Sequence, residues 1–473
     1  MLKDTPKGRT LSFAERIDPA HTALVVVDVQ NDFSHPEGVT GIDNTRIHEY
    51  PEMLARLRKL IEEARAAGVF IIHVRSLYDD IHLSRSAAEK WVSRGWVDSL
   101  CRGGTFGAEF ADGFRPRDAE NEAIVTKHRF SSFWGSPIDL LLRSNGIKTV
   151  VLAGISTEIC VESHARDAFF RDYHVVEVGD CVECGSPERD RASKVVIERA
   201  FGPVVSASMV SDVWKTSKNK TRGWHQEEKK KKLLSTLGER LAPPHTALIL
   251  IDVQNDFCHE NGAVGRRGEP FEMIKETVPR IIDLLGAARK AGCMVIHIAA
   301  QYGPQIRNVG SPYLRRNPRS RDGLAWTASS TELIHGELAP DLVEVCTPGS
   351  WGGRFVEGID PRENELVITK HRFSAFVDTS LEQMLRSNDI KTVVLAGVTT
   401  NCCVESTARD AVMRDFNVVI AEDCVAVKDI NRDLHFASLE TMSMYIGLVE
   451  PLARIAESWS ANDLPRASLV ATG

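Results

Sequence analysis

The sequence predicts an α/β protein built from two tandem domains, each a doubly wound parallel sheet. Three observations predict this. Short β-branched apolar runs alternate with helical stretches along the chain, the pattern of a parallel sheet covered by helices. Lys127–Asp180 and Lys370–Asp423 align without a gap and share 32 of 54 residues. That is a duplication of domain size, not a solenoid repeat. Finally, Asp28, Lys127 and Cys160, with their twins Asp252, Lys370 and Cys403, each fall at the carboxyl end of a predicted strand, where such sheets gather their chemistry.

Taken in order, residues 1–20 form a leading arm, and its TLSFAERIDPAHTAL recurs loosely as TLGERLAPPHTAL before the second copy. The first strand, Ala23–Val27 or Ala247–Ile251, runs into Asp-Val-Gln-Asn-Asp-Phe in both copies. Helical patterning at Met53–Ala67 and Met273–Ala291 stops at Gly68 and Gly292, a usual helix terminator. A second strand is expected to end at His73 or His297. A variable region follows, Leu77–Leu100 or the longer Tyr302–Val345, and its extra length raises the offset between copies from 224 to 243. Glycine-rich turns at Gly103–Gly107 and Gly349–Gly352 precede a third strand ending at Lys127 or Lys370. A helix, Ile138–Ser144 or Leu381–Ser387, leads to the strand Thr392–Ala396 and its first-copy twin, then to a helix opening near Cys160 or Cys403. A fifth strand, Val175–Val178 or Val418–Ile420, and a helical segment close each unit. The boundaries are therefore 1–215 for the first domain, 216–234 for a charged linker containing EEKKKK, and 235–473 for the second domain.

Composition narrows the function class. With 473 residues, 43% apolar, 26% charged and a net charge of −7, the chain reads as an ordinary globular protein. It carries no basic stripe for nucleic acid. No apolar run approaches the ~18 residues of a membrane span. The start is polar, and ten cysteines in this length make no disulfide framework. A reducing cytoplasm is the expected location.

The chemistry sits on three ordered motifs. They are DVQNDF at Asp28 and Asp252; KHRFSSF at Lys127 with KHRFSAF at Lys370; and GISTEICVESH at Gly154 with GVTTNCCVEST at Gly397. A cysteine at a strand–helix junction can attack a carbonyl, and the helix N-terminus favours its thiolate. The aspartate is placed to move the thiol proton, and the lysine supplies a neighbouring cation. Backbone N–H groups near Ser156 and Cys160, or Thr399 and Cys403, would hold the oxyanion. Gln30 and Gln254 are candidates for substrate contact or for a supporting hydrogen bond. Asn401, which replaces Glu158 of the first copy, is a candidate for binding a ureide, because its amide both donates and accepts. A glutamate facing the pocket would raise the thiol pKa. The copies also differ at Gly135-Ser136 against Asp378-Thr379.

These motifs resemble the isochorismatase-like cysteine hydrolase superfamily, and the resemblance covers nearly the whole chain, twice. It implies a Rossmann-like α/β hydrolase of amide-type C–N bonds using an Asp–Lys–Cys triad in each domain, without a cofactor. It also implies cis peptides at Ile155–Ser156 and Val398–Thr399. In motif the chain is most similar to ureidoacrylate- or biuret-type amidohydrolases. A nicotinamidase-like or maleamate-like amidase is the alternative, as is a copy retained only for binding. Glu158 departs from the T-N-x-C form of ureide-cleaving relatives. Relatives of the nicotinamidase type place an Asp-x-His pair and a further histidine at a metal. Asp80 and His82 lie in the variable region instead, so no metal is expected, and His73 and His297 read as structural. Expected partners are a small amide or ureide and, within the chain, the second copy as a pseudo-dimer, with further self-association open.

Overall fold

The computed structural model describes residues 11–40, 48, 50–92, 95–96, 99–217, 234–267, 270–301, 333–334, 337–338 and 345–461. Most of the linker and most of the second variable region lie outside them. The chain divides into two compact units, Met1–Leu233 and Leu234–Gly473.

In the first unit the strands are β1 (Thr22–Val27), β2 (Phe70–Ser76), β3 (Glu122–Lys127), β4 (Thr149–Ile155), β5 (His174–Glu183) and β6 (Val204–Val205). They form one sheet in the order β3-β2-β1-β4-β5-β6, every pair parallel. Its helices include α1 (Tyr50–Ala67), α2 (Ile138–Ser144), α3 (Glu162–Phe169), α4 (Pro187–Ala200) and α5 (Ala207–Thr216). The second unit repeats this as β7 (Thr246–Ile251), α6 (Glu272–Ala291), β8 (Met294–Ala300), β9 (Leu366–Lys370), α7 (Leu381–Ser387), β10 (Thr392–Val398), α8 (Glu405–Val412), β11 (Asn417–Ala426), α9 (Arg432–Tyr445), β12 (Leu448–Glu450) and α10 (Leu452–Ala461). The sheet order is β9-β8-β7-β10-β11-β12. The expected doubly wound parallel sheet is present in each unit.

Strand β1 is buried at every residue, as a central parallel strand covered on both faces must be. Alternate side chains serve two cores. Leu24 and Val26 pack with Leu57, Leu60 and Trp214 from α1 and α5. Ala23, Val25 and Val27 pack with Leu142, Ala165 and Ile197 from α2, α3 and α4. Helix α1 buries Met53, Leu57, Leu60, Ile61 and Ala64, a stripe at helical spacing. Each such leucine contributes roughly 1.5–3 kcal/mol on burial.

Three expectations need correction. Strand β2 does not end at His73; it continues to Ser76, because Val74 pairs with Val27 and Ser76 with Lys127. His73 is thus a mid-strand residue, 3.1 Å from Glu122 Oε2, while Arg65 donates to the same carboxylate at 2.6 Å. His297, Glu365 and Arg289 repeat the arrangement at 2.8 and 2.7 Å. The fifth strand is longer than expected, and the sixth strands β6 and β12 were not foreseen. These are edge segments of two and three residues, too short to carry a periodic signal.

The sheet reverses direction of winding between β1 and β4, and Val27 pairs with Gly154 there. Gly154 has φ +120°, and a Cβ on it would lie 2.1 Å from the Val27 carbonyl oxygen; Gly397 has φ +123° and meets Ile251 in the same way. Both the torsion and the backbone contact require glycine. Gly397→Ala is expected to lower the stability of the second unit by about 3 kcal/mol or more. Urea denaturation monitored unit by unit checks this, and an unchanged second transition contradicts it.

Candidate active site

The carboxyl ends of β1, β3 and β4 supply the site. Asp28 and Asp252 follow β1 and β7 with φ 51° and 55°, a left-handed turn uncommon for a side-chain-bearing residue. The rest of DVQNDF is a brace. Gln30 is fully buried; its amide donates to Ser76 and Ala108 carbonyls at 3.0 and 2.8 Å and accepts the Ser76 N–H at 2.6 Å. Gln254 donates to Ala300 and Gly353 and accepts from Ala300 N–H. The candidate substrate contact of both glutamines therefore gives way to the supporting role, since backbone groups take both donors and an acceptor position. Asn31 and Asn255 donate to Phe106 and Trp351 carbonyls. Asp32 accepts the Cys101 and Val39 N–H groups, and Asp256 those of Cys346 and Ala263. The glycine-rich turn closes on these carboxylates. A Cβ at Gly107 would lie 2.1 Å from Asp32, and one at Gly352 2.2 Å from Asp256.

Lys127, on the edge strand, reaches across the end of β2 to the site. Its Nζ lies 2.7 Å from Asp28 Oδ2, 3.4 Å from Cys160 Sγ and 3.1 Å from the Arg129 carbonyl. Lys370 makes the same contacts, 2.7 Å to Asp252, 3.4 Å to Cys403 and 3.1 Å to Arg372. Both lysines are wholly buried, and the two thiols are 9% and 8% exposed, a narrow opening for a small substrate. The structure thus brings all three predicted residues together in each unit.

The cysteines do not begin an α-helix as expected. A single π turn, Thr157–Val161 or Thr400–Val404, intervenes before α3 or α8, and the cysteine is its fourth residue. Such turns concentrate at functional sites. Ser156 and Thr399 cap these turns, each following a cis peptide. The helix that follows is anchored on the nucleophile's own carbonyl. Thr407 donates to Cys403 O at 2.7 Å and accepts the Ala375 N–H. In the first unit His164 makes both contacts, Nδ1 to Cys160 O at 2.6 Å and Nε2 to Ser132 N–H at 3.0 Å. Burial, reinforced by Lys127, lowers His164 to about 3, so it is a neutral tether although it lies four residues after a cysteine.

The charge state also departs from expectation. Burial pushes the Cys160 thiol up to about 12, with Lys127 opposing. Cys403 is raised by its hydrogen bond with Cys402 and by burial. The helix terminus does not produce a resting thiolate, because desolvation of the charged form outweighs it. Burial works against the charge on Lys127, but Asp28 more than restores it. Burial raises Asp252, with Lys370 opposing. The resting site is a lysine–aspartate ion pair beside a neutral thiol.

The expected substrate-sensing differences resolve unequally. Ser136 and Thr379 hydroxyls both donate to a carbonyl four residues back, Ser132 and Ala375. Gly135 and Asp378 both take positive φ, so these pairs are turn residues with the same role. Glu158 pairs with Arg189 of α4 at 3.2 Å through one carboxylate oxygen, and its other oxygen is buried without a hydrogen-bond partner. Asn401 has no such partner helix residue: matching Ser193–Glu162 with Ser438–Glu405 puts Leu434 opposite Arg189.

Asp80 pairs with Arg102 at 2.7 Å, and His82 stacks on His128 at 3.6 Å, so the two do not converge. Among the described residues, no group of three His, Cys, Asp or Glu side chains could hold a metal ion. A cavity of about 250 Å³ in the second unit is lined by Gln254, Ala300, Thr347, Ser350 and Arg354 among others, and by no triad residue. All ten cysteines are free, and no helix among the described residues is long and apolar enough to cross a membrane. Sequence reasoning missed Ser76 and Tyr78, which lie against the first triad; no motif contains them.

A buried charge stripped of its partner is costly. Lys370→Met is expected to destabilise the second unit by about 3–5 kcal/mol, and adding Asp252→Leu should recover most of that loss. Chemical denaturation of the single and double variants checks this; a double variant no more stable than the single one contradicts it.

Comparison with known proteins identifies the family. The isochorismatase domain model matches residues 22–209 and again 246–453. Ureidoacrylate amidohydrolase RutB of Enterobacter sp. (strain 638) is 30% identical over 226 residues, 46% of this chain and 94% of that protein. Its counterpart from Acinetobacter baylyi is 29% identical over 227 residues, 47% of this chain and 87% of that protein. Among solved structures, a cysteine hydrolase from Pseudomonas syringae pv. phaseolicola is similar at 25% identity and a TM-score of 0.38, covering 42% of this chain and 95% of its own. N-carbamoylsarcosine amidase from Thermoplasma acidophilum is similar at 31% identity and a TM-score of 0.33, covering 39% and 95%. With both halves matched by the same domain model, the chain belongs, twice over, to the isochorismatase domain family.

Proposed function

We propose that each unit is a thiol-dependent amidohydrolase that cleaves an amide-type C–N bond of a small ureide or carbamoylated compound. The observation that carries this reading is the repeated cluster of a thiol, a carboxylate and an ammonium, all buried, with the lysine nitrogen 2.7 Å from the aspartate and 3.4 Å from the sulfur. Similarity to two ureidoacrylate amidohydrolases supports the ureide class. The chain is a hydrolase acting on carbon–nitrogen bonds other than peptide bonds.

The resting charges set the order of events. The aspartate takes the thiol proton as sulfur attacks the carbonyl carbon, because a thiol with a raised pKa is nucleophilic only when a base assists it. Lysine remains cationic and offsets the negative charge that passes from carboxylate to sulfur. Backbone N–H groups of Ser156 and Cys160, or of Thr399 and Cys403, receive the oxyanion. The tetrahedral species expels the nitrogen, which takes the proton from the aspartic acid. Water then attacks the acyl-sulfur carbon and gives a proton to the aspartate. The C–S bond breaks, and the thiolate recovers that proton. General base assistance of this kind is worth about 10²–10⁴-fold. Asn401, half-buried beside Cys403, is the proposed ureide contact of the second site.

A screen for ammonia release over ureides, carbamates, nicotinamide and maleamate tests the substrate class. Iodoacetamide is expected to abolish turnover, with substrate protecting and labelling confined to Cys160 and Cys403. Dialysis against a strong chelator should leave the rate unchanged. Full activity in the Cys160→Ala/Cys403→Ala protein would sink the mechanism, and rescue of a chelated enzyme by added metal would sink its cofactor independence.

A further inference from the structure

The two triads differ in what touches the aspartate. Strand β2 lies between β3 and β1, so Lys127 must cross its end to reach Asp28. The residue at that crossing is Ser76, which pairs with Lys127 in the sheet. Its Oγ lies 3.0 Å from Asp28 Oδ1, 2.9 Å from Lys127 Nζ and 3.1 Å from Tyr78 Oη. In the second unit the crossing residue is Ala300, paired with Lys370, and among the described residues no side-chain hydroxyl reaches Asp252. A hydroxyl has one proton to give. Asp28 and the Tyr78 hydroxyl both lie within its reach as acceptors; donation to the carboxylate is the stronger use of it, while Lys127 donates to Ser76 Oγ. Tyr78 is kept protonated chiefly by burial.

We propose that Ser76 is a positioning residue of the first site alone, donating to Asp28 to hold it ionised and oriented, so that the two sites of one chain operate over different pH ranges. This rests on the aspartate being the base, as proposed above. The remaining described groups near the two carboxylates differ at one place, a phenol in the first site and a second thiol in the other. Asp28 is faced by Lys127, Cys160, Tyr78 and Cys101; Asp252 is faced by Lys370, Cys403, Cys258 and Cys346. In each set the lysine is the only cation, and the thiols and the phenol are neutral. Ser76 is the hydroxyl within hydrogen-bond distance of Asp28, and Ala300 holds its place in the second unit. A hydrogen bond to the charged form of an acid favours that form. Burial raises Asp252, with Lys370, Cys403 and the Ala300 N–H opposing.

The test uses the full-length chain with one live nucleophile, Cys403→Ala to report the first site and Cys160→Ala the second. The readout is the rate of iodoacetamide alkylation of the remaining nucleophile from acid to neutral pH, which needs no known substrate. The acid limb of the first site should lie at lower pH than that of the second. Ser76→Ala should raise the first limb by about one pH unit, Ser76→Thr should restore it, and Ala300→Ser should lower the second limb by a similar amount. Limbs that coincide, or that stay in place in the variants, overturn the proposal. Should Ser76→Ala fail to fold, the Ala300→Ser protein decides alone. Asp28→Asn and Asp252→Asn separate the two readings. If the limbs survive in these variants, the aspartate is not the base and both readings fall. If the limbs vanish there yet ignore Ser76 and Ala300, only the present inference falls.

Discussion

The buried lysine–aspartate pair is the constraint on which each unit depends. Two opposite charges at 2.7 Å, 0% and 1% exposed, survive burial only as a pair, since desolvating either alone costs several kcal/mol. The pair ties the edge strand β3 to the central strand β1 across β2. It also decides the state of the third member. With the lysine's charge already offset by the carboxylate, little field remains to ionise the neighbouring sulfur, and burial keeps the thiol protonated. Attack and proton transfer are therefore coupled in the proposed reaction. Buried ion pairs are weak evidence for stability, so the persistence of this one in both copies fits a chemical role.

Duplication offers an internal comparison in which the same contacts are met by different residues. His164 and Thr407 both tether the carbonyl of the nucleophile. Ser136 and Thr379 close the same turn. The Gln, Asn and Asp of DVQNDF hold the same loop carbonyls and amides in each unit. Positions where the chemistry changes stand out against that background. Glu158 and Arg189 give way to Asn401 and Leu434 at the matching positions, which removes an ion pair. Ser76 gives way to Ala300, removing a hydroxyl from the carboxylate. Both changes leave the triad contacts at equal lengths.

Much of this was legible in the chain. Continuous apolar runs announced central parallel strands because both faces of such strands are covered. Amphipathic spacing located α1 and α6 to within three residues at one end. The ungapped repeat announced two units, since no other reading explains so many identities at one offset. Asp28, Lys127 and Cys160, with their twins, were singled out as strand-end residues, and those are the ones the fold assembles.

Tertiary structure alone decided the rest. The π turn before α3 and α8 meets α4 and α9 through hydrogen bonds of Thr157 with Asp190 and of Thr400 with His435, contacts between segments distant in sequence that no local pattern signals. Glutamine in DVQNDF could equally have met a substrate or a backbone; only the placement of β2 and the glycine-rich turn commits its amide. Glu158 suggested a perturbed thiol, and only the fold brings Arg189, distant in sequence, to 3.2 Å from its carboxylate. The titration state of the sulfur follows from desolvation, a property of enclosure by the whole unit and not of neighbouring residues. Ser76 has the same origin. It belongs to no motif, and its importance comes from the strand order, which sends a lysine side chain across the end of β2 at that one residue.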